Sequence, residues 1–325
     1  MTKCIGCGIE LQDKDKNKLG YVEDINNNIC TRCFKLKHYG EYKKVELNNN
    51  DYNKIIKSIS TNNLVVYVSD FLSLNLSKIN NFNKVLLVIT KRDIIPESVK
   101  EYKIINYLKE KYINIIDIII VSSLNNYNID NLYNMLNKYS NNKDIYVVGY
   151  TNTGKSTLIN KLISNYTSDS INVTTSMYPS TTLDKISIKL NELTLIDTPG
   201  LIDESNIINY IDKSDLKKIL PKKSIKPKTC QINGIGSILI DNYMRLDYDT
   251  NISNSIVIYA SNNLNVKFNS LSNNKLKDLK EHTISIDSNK DLVIPGLCFI
   301  KITKPIKVKL YIMDKVKPYL RDNLI

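Results

Sequence analysis

The sequence predicts an α/β protein whose mainly parallel sheet is preceded by a cysteine-rich module and followed by a smaller α+β domain. Apolar runs of four or five residues alternate with helical patterns between residues 64 and 163, as strands and crossover helices of a parallel sheet do. Four of the six cysteines fall within the first 33 residues, and short β-like runs replace the alternation after about residue 229. The predicted divisions are residues 1–40, 41–211 and 212–325, the last beginning with a lysine-rich linker.

The composition sets broad limits on the class of protein. With 325 residues and 42% hydrophobic residues, the chain can build two or three packed cores, which argues against wholesale disorder. It contains no apolar run long enough to span a bilayer, and its first residues lack the apolar stretch of a signal peptide. We therefore expect a cytoplasmic protein that does not enter a membrane.

The net charge of +12 indicates a polyanionic partner such as RNA. A compositional explanation stays open, because the chain is rich in Lys, Asn and Ile and contains only four Arg. Charge alone therefore does not decide between an RNA-binding protein and a chain that is basic by composition.

The N-terminal cysteines form two C-x-x-C pairs, Cys4-Ile-Gly-Cys7 and Cys30-Thr-Arg-Cys33, with 22 residues between them. Two such pairs converge naturally on one tetrahedral zinc ion. A redox pair and accidental cysteines are the alternatives. The spacing predicts a zinc module with Cys4, Cys7, Cys30 and Cys33 as ligands.

Apolar runs and periodic segments predict the elements of the central domain. The predicted buried strands are Leu64–Val68, Val85–Ile89, Ile118–Val121 and Ile145–Val148. The helical patterns are Val99–Lys111 and Ile129–Tyr139. A later pair of runs, Lys185–Leu190 and Leu193–Ile196, is separated only by Asn191-Glu192, which predicts a hairpin and hence one antiparallel strand.

The most specific motif is Gly149-Tyr-Thr-Asn-Thr-Gly154-Lys155-Ser156, a complete G-x-x-x-x-G-K-S sequence between a predicted strand and a predicted helix. Glycines let backbone N–H groups wrap phosphates, and the helix N-terminus adds partial positive charge. Lys155 is expected to reach the β- and γ-phosphates and Ser156 to bind Mg²⁺. A chance glycine-rich turn is the alternative. The predicted phosphate contacts are Gly149, Asn152, Thr153, Gly154, Lys155, Ser156 and Thr157.

Two further segments complete the predicted Mg²⁺ shell. Asp197-Thr-Pro-Gly200 follows an apolar strand 41 residues after Ser156, so Asp197 can hold Mg²⁺ through water and the N–H of Gly200 can meet the γ-phosphate. Between them, Pro179-Ser-Thr181-Thr182 is a candidate switch, because a Thr hydroxyl, assigned to Thr182, can close the shell only when the γ-phosphate is present. An ordinary polar loop is the alternative.

A base-reading motif precedes the phosphate loop. Thr90-Lys91-Arg92-Asp93 resembles the N-K-x-D motif of GTPases, in which Asp accepts two hydrogen bonds from guanine, and Ser122-Ser123-Leu124 resembles their S-A-K loop. In an ordinary GTPase both motifs follow the phosphate loop, so the order here predicts a circular permutation. Joining of the termini at surface loops can leave the sheet intact. An ordinary charged turn is the alternative for residues 90–93.

With these motifs in place, the chain resembles the YqeH-type circularly permuted GTPases over nearly its whole length. The segments that carry the resemblance are the C-x-x-C pairs running on to Tyr39, Asp70-Phe71, the permuted motif order, Leu220-Pro-Lys-Lys-Ser-Ile-Lys-Pro227 and Arg245-Leu-Asp-Tyr248. The resemblance implies a GTPase that uses GTP, GDP and Mg²⁺ and serves in assembly of the small ribosomal subunit.

Two positions depart from the family pattern, and a third bears on the mechanism of hydrolysis. Thr90 replaces the usual Asn, and Ser180 replaces Gly in the switch loop. Leu201 stands where other GTPases carry a water-orienting Gln, and GTPases with an apolar residue there often use K⁺ held by an Asn of the phosphate loop, which implies that role for Asn152. The resemblance thus implies slow, K⁺-stimulated hydrolysis, with Lys155, Thr182 and Asn152 as the catalytic residues.

Two hypotheses about the partner remain. The first is a GTP-dependent assembly factor that binds ribosomal RNA or a precursor of the small subunit and relays its nucleotide state from the switch to the C-terminal domain. The second is a nucleotide-gated regulator of another RNA or protein complex. The predicted RNA contacts are the lysines Lys222, Lys223, Lys226 and Lys228 and the aromatic residues Phe34 and Tyr39. A solvated linker and packing on the zinc turn are the respective alternatives.

Overall fold

The computed structural model describes residues 4, 10–16, 20–31, 34, 46–47, 56–167, 186–269 and 279–325. The chain divides into two compact units. The first comprises Met1–Asp70, Asn75–Arg92 and Leu108–Ile202, and the second comprises Phe71–Leu74, Asp93–Tyr107 and Asp203–Ile325.

The first unit contains a six-stranded sheet in the order β4-β3-β2-β5-β7-β6. Its strands are β2 (Leu64–Asp70), β3 (Val85–Thr90), β4 (Ile115–Ile120), β5 (Ile145–Gly149), β6 (Ile186–Leu190) and β7 (Leu193–Asp197). All neighbours run parallel except β6 and β7, which confirms the predicted mainly parallel sheet with one antiparallel strand. A separate pair joins β1 (Glu46–Leu47) to β8 (Gly200–Leu201).

The helices that connect these strands along the chain follow the predicted helical patterns. They are α1 (Glu101–Lys111), whose first turns belong to the second unit, α2 (Ile129–Ser140) and α3 (Lys155–Tyr166). Every residue of β2 and β3 is buried, because parallel strands are covered on both faces and carry continuous apolar runs. Helix α2 contributes Ile129, Leu132 and Leu136 to the same core, at the spacing of one helical face.

The second unit contains an antiparallel sheet. Its strands are β9 (Lys228–Ile240), β10 (Met244–Ala260), β11 (Val266–Asn269), β12 (Lys280–Ile286), β13 (Lys290–Ile294), β14 (Cys298–Ile302), β15 (Ile306–Ile312) and β16 (Tyr319–Asp322). The main path is β11-β9-β10-β14-β13-β16, and β15 pairs with both β10 and β12. Alternate residues of β15, from Ile306 to Ile312, are buried, as expected for a sheet with one face on a core.

The expected α+β mixture therefore requires correction. Among the described residues, α-helix in the second unit is limited to the first turns of α1 and to α4 (Lys213–Ile219). The α4 residues lie in the predicted lysine-rich linker, which is thus partly helical and anchored by the buried Ile219 and Ile225. No described helix combines the length and hydropathy needed to cross a bilayer.

Candidate nucleotide-binding site

The phosphate loop connects β5, in the interior of the sheet, to α3. Gly149 ends β5 beside Val68 of β2, and a Cβ at residue 149 would lie 2.5 Å from the carbonyl oxygen of Val68. Gly154 has a φ of +89° immediately before the first residue of α3. At residue 149 only glycine avoids the clash with β2, and at residue 154 glycine adopts the left-handed backbone without strain. These two requirements explain the two fixed glycines of the motif.

Hydrogen bonds within the loop and to β8 hold its backbone in place. The hydroxyl of Thr153 donates to the carbonyl oxygen of Tyr150 at 2.8 Å. The N–H of Thr151 donates to the carbonyl oxygen of Leu201 at 2.8 Å. Asn152 is exposed, with a φ of +65°. The loop is thus ordered around an exposed asparagine.

Lys155 and Asp197 meet at the end of the central strands. Asp197, the last residue of β7, lies opposite Val147 of β5. The Lys155 ammonium donates to the Asp197 carboxylate and to the carbonyl oxygen of Thr198. The two side chains are 4% and 1% exposed. The structure therefore brings together the predicted phosphate-binding cation and the predicted Mg²⁺-binding carboxylate, as an ion pair shielded from solvent.

Thr198 was not singled out in the sequence, although it fixes this junction. Its N–H and hydroxyl donate to the carbonyl oxygen of Val147 at 3.2 and 2.8 Å, while its own carbonyl oxygen accepts from Lys155. The D-T-P-G motif drew attention to Asp197 and Gly200. Its place directly after the aspartate of that motif is the sequence signal that could have identified Thr198.

Thr90 joins the base-reading turn to the phosphate loop. Its hydroxyl donates to the carbonyl oxygen of Thr153 and lies 3.4 Å from that of Ser69, and the residue is 3% exposed. The adjacent Lys91 donates from Nζ to the carbonyl oxygen of Asn152 at 2.9 Å. The turn after β3 and the loop after β5 are therefore connected by two hydrogen bonds.

The second base-contact loop follows β4. The N–H of Arg92 donates to the carbonyl oxygen of Val121 at 3.0 Å, which brings the turns after β3 and β4 together. Buried Ser122 accepts the N–H of Asn125 through its hydroxyl at 3.2 Å, and Ser123 is half-buried. Asp93 lies in the 3-10 turn Arg92–Ile94 that continues from Lys91.

The chain after Asp197 is packed into this unit. Gly200 and Leu201 form β8, and Leu201 is 3% exposed. Leu201 clusters with Tyr150 and the half-buried Ile56. Its side chain therefore has a packing role. The switch residues Thr181 and Thr182 lie outside the described residues.

Two of the four predicted zinc ligands can be placed. Cys4 and Cys30 are 0% and 2% exposed, and the N–H of Cys30 donates to Sγ of Cys4 at 3.1 Å. Cys7 and Cys33 lie outside the described residues, and the described part of the chain contains no group of three or more His, Cys, Asp or Glu suited to a metal ion. The two cysteines that are 26 positions apart in the sequence are nevertheless adjacent.

Comparison with known proteins places the chain in a family. A model described as "50S ribosome-binding GTPase" matches residues 144–237. The chain is 34% identical to the protein named "Uncharacterized protein YqeH" of Bacillus subtilis (strain 168) over an alignment of 361 positions that covers 99% of each chain. The chain belongs to the YqeH-type GTPase family. It is accordingly a P-loop GTPase, for which GTP, GDP and Mg²⁺ are the implied ligands.

More distant relatives match shorter segments. The "NO-associated protein 1, chloroplastic/mitochondrial" of Arabidopsis thaliana is 24% identical over 71% of this chain and 49% of its own length. Among solved structures, YjeQ from Thermotoga maritima is similar with 21% identity and a TM-score of 0.29, covering 42% of this chain and 48% of that one.

Proposed function

We propose that this chain is a circularly permuted GTPase that acts in assembly of the small ribosomal subunit and passes its nucleotide state to the C-terminal sheet. The observation that carries the GTPase part is the Lys155–Asp197 pair at the phosphate loop, in a chain whose family consists of GTPases. The ribosomal part is supported by the family resemblance and by the basic charge of the chain.

The order of the motifs supports the permutation. The turn at Thr90–Asp93 and the loop at Ser122 follow β3 and β4, which precede the phosphate-loop strand β5 in the chain. In space, β5 lies beside β2, and β3 and β4 follow outward. The "50S ribosome-binding GTPase" model matches only residues 144–237, a stretch that contains the phosphate loop and D-T-P-G but neither base-reading segment.

The roles proposed for hydrolysis follow from the positions of the side chains. Lys155 leaves Asp197 to bind the β- and γ-phosphates, and Asp93 selects guanine. Ser156, Asp197 and Thr182 are the proposed Mg²⁺ ligands; the ion, when bound, supplies charge neutralisation at the phosphate oxygens. The side chain of Leu201 has no hydrogen-bonding atom and is packed against Tyr150, so it cannot orient the attacking water. This supports slow intrinsic turnover, with K⁺ held by the exposed Asn152 as the proposed stimulus.

The proposed relay begins directly after β8. The segment from Asp203 is part of the second unit, where the N–H of Ile207 donates to the carbonyl oxygen of Pro295 at 3.0 Å. A Cβ at Gly296 would lie 2.0 Å from Oδ1 of Asn206. The segment from Asp203 is thus closely packed on the turn between β13 and β14, and the proposed relay runs along this segment.

A structural zinc ion is part of the same proposal. Buried cysteines with an N–H···S hydrogen bond, as found at Cys4 and Cys30, suit thiolate ligation. Cys7 and Cys33 complete the proposed tetrahedral set. Exposed Phe34 next to this module and Tyr39, outside the described residues, are the proposed base-stacking residues. We place the activity in the cytoplasm.

Co-sedimentation with isolated ribosomal subunits tests the proposal. The full-length protein is mixed with small or large subunits in the presence of a non-hydrolysable GTP analogue, GDP, the matching ATP analogue or no nucleotide, across a range of salt. Binding to the small subunit that requires the GTP analogue and survives moderate salt supports the proposal. Preference for the large subunit contradicts the choice of particle. Binding that ignores nucleotide and vanishes with salt favours a nucleotide-gated regulator of another RNA or protein complex.

Asp93→Asn provides the matched control. The carboxylate of Asp93 is proposed to accept from guanine N1–H and the exocyclic amine, whereas an amide can donate to the 2-oxo group of xanthine. We expect the variant to sediment with subunits in the presence of a xanthosine triphosphate analogue and no longer in the presence of the GTP analogue.

A further inference from the structure

The loop between α4 and β9, residues 220–227, carries three exposed lysines on a fixed backbone. Lys222, Lys223 and Lys226 are exposed. Ile219 and Ile225 are 0% and 2% exposed, so the chain is anchored before the first lysine and again before the last. A flexible, solvated linker does not hold apolar side chains in a buried position, so this segment is not one. We call residues 220–227 the lysine loop.

A single asparagine side chain clamps the lysine loop from one side. Nδ2 of Asn262 donates to the carbonyl oxygen of Ser224 at 2.8 Å. Oδ1 of the same side chain accepts the N–H of Lys226 at 2.8 Å. The two bonds satisfy backbone groups on both sides of Ile225, so they fix the direction in which Lys226 leaves the backbone.

The two residues that follow Asp93 in the chain also hold the lysine loop. The N–H of Ile225 donates to the carbonyl oxygen of Ile94 at 3.0 Å, and the hydroxyl of Ser224 lies 3.3 Å from the carbonyl oxygen of Ile95 as its donor. Ile94 ends the 3-10 turn that contains Asp93. The residue whose carbonyl oxygen supports the lysine loop therefore directly follows the proposed guanine-selecting Asp93 in the chain.

We propose that the lysine loop is a preorganised contact for RNA phosphates and that its position is linked to guanine nucleotide at Asp93. Three ammonium groups on an ordered backbone suit a phosphate backbone, because less conformational entropy is lost on binding than from a flexible chain. The net charge of +12 also favours a polyanionic partner such as RNA. The inference rests on the proposed function, since it names the partner contact and the regulation of that GTPase.

Linkage makes the effect reciprocal. If guanine nucleotide shifts the turn at Asp93 and so changes the RNA affinity by some factor, RNA must change the nucleotide affinity by the same factor. Disconnecting the lysine loop from the turn should abolish this coupling while leaving all three lysines in place. Removing the lysines should weaken RNA binding itself. The two kinds of variant therefore separate contact from coupling.

The test uses the full-length protein and a fluorescein-labelled single-stranded RNA of about 20 nucleotides, followed by anisotropy at several salt concentrations. The contact variant is K222Q/K223Q/K226Q. Its matched control, K138Q/K143Q/K189Q, removes three exposed lysines of the first unit. Three phosphate contacts on a single strand predict a slope of log K against log salt that is shallower by about two in the contact variant. Equal changes in both triple variants, or equal competition by polyglutamate, would overturn the phosphate contact and leave a general charge effect or an acidic protein partner.

Coupling is read from the ratio of RNA affinities with the GTP analogue and with GDP. We expect binding at least about fivefold tighter with the analogue, and a ratio near one in Ser224→Ala, which lacks the hydroxyl that donates to Ile95. A ratio of one in the wild type overturns the coupling, as does an unchanged ratio in Ser224→Ala. The short RNA contains no ribosomal particle. Failure of the ribosomal proposal therefore shows in the sedimentation experiment, and failure of this inference shows here.

Discussion

The hydroxyl of Thr90 donates a hydrogen bond to the carbonyl oxygen of Thr153, and this bond ties the turn after β3 to the phosphate loop after β5. Thr90 stands where the family that the chain resembles usually has Asn. The structure shows a bracing contact made by the shorter side chain, in a tight space where a Cβ at Gly154 would lie 3.3 Å from the Thr90 hydroxyl oxygen.

Thr90→Val tests the importance of this contact for nucleotide binding. The substitution keeps the shape and leaves the buried carbonyl oxygen of Thr153 without this donor, which costs about 1–3 kcal/mol. We expect GDP and GTP-analogue affinities to fall roughly tenfold together in fluorescence titrations. Thr90→Ser, which keeps the hydroxyl, should stay within about twofold of the wild type. Equal affinities for all three proteins would show that the hydrogen bond does not shape the loop.

Lys155→Met tests the buried ion pair. Removal of one partner leaves the Asp197 carboxylate buried without its cation, which typically costs about 3–5 kcal/mol, so the thermal unfolding midpoint of the ligand-free protein should fall. The double variant K155M/D197N should recover much of the loss in scanning calorimetry while neither variant hydrolyses GTP. If the double variant lost as much in midpoint as Lys155→Met and Asp197→Asn lose together, the two side chains would not interact.

Turnover in KCl against NaCl tests the proposed potassium site. We expect faster GTP hydrolysis in KCl, because a cation near the β- and γ-phosphates stabilises the charge that develops there. Asn152→Gly tolerates the φ of +65° and removes the side-chain oxygen, so its rate in KCl should drop to the NaCl level. Equal wild-type rates in the two salts would exclude potassium stimulation.

Metal analysis tests the proposed zinc module. We expect one zinc ion per purified chain, and its loss in Cys4→Ser and in Cys30→Ser with a lower unfolding midpoint. Cys230→Ser is the matched control, since Cys230 is a half-buried cysteine of β9 where burial raises the pKa of the thiol. Zinc retained in both N-terminal variants would contradict the ligand assignment.

The pH dependence of stability tests Asp117 on β4. Burial opposes its ionisation, but Lys109 at 2.7 Å, the N–H of Ile118 and the hydroxyl of Tyr139 together lower its pKa from 3.8. This contribution to stability is therefore present above about pH 4 and is lost as the pH falls through the lowered pKa. Between pH 6 and 3 the unfolding midpoint should fall more in the wild type than in Asp117→Asn. Parallel curves would contradict the lowered pKa.

The nucleotide unit was largely predictable because its signals are local. Continuous apolar runs predicted the strands that the sheet contains, and the glycine spacing located the phosphate loop between β5 and α3. The second unit was less predictable. Period-two runs such as Ile306–Ile312 indicated strands, yet the local pattern does not specify which strands pair, and the expected helical share was too large.

The sequence by itself determined which residue types stand at the site and the order of its motifs, from which phosphate binding, guanine selection and metal ligation are proposed. These are properties of residue type and spacing. Only the tertiary structure decided the partners of those residues. Three contacts join positions that are 42, 63 and 131 residues apart in the chain. They are Lys155 with Asp197, Thr90 with Thr153, and Ile225 of the lysine loop with Ile94. Such contacts depend on strand order and packing, which bring distant carbonyl and carboxylate groups within hydrogen-bond reach.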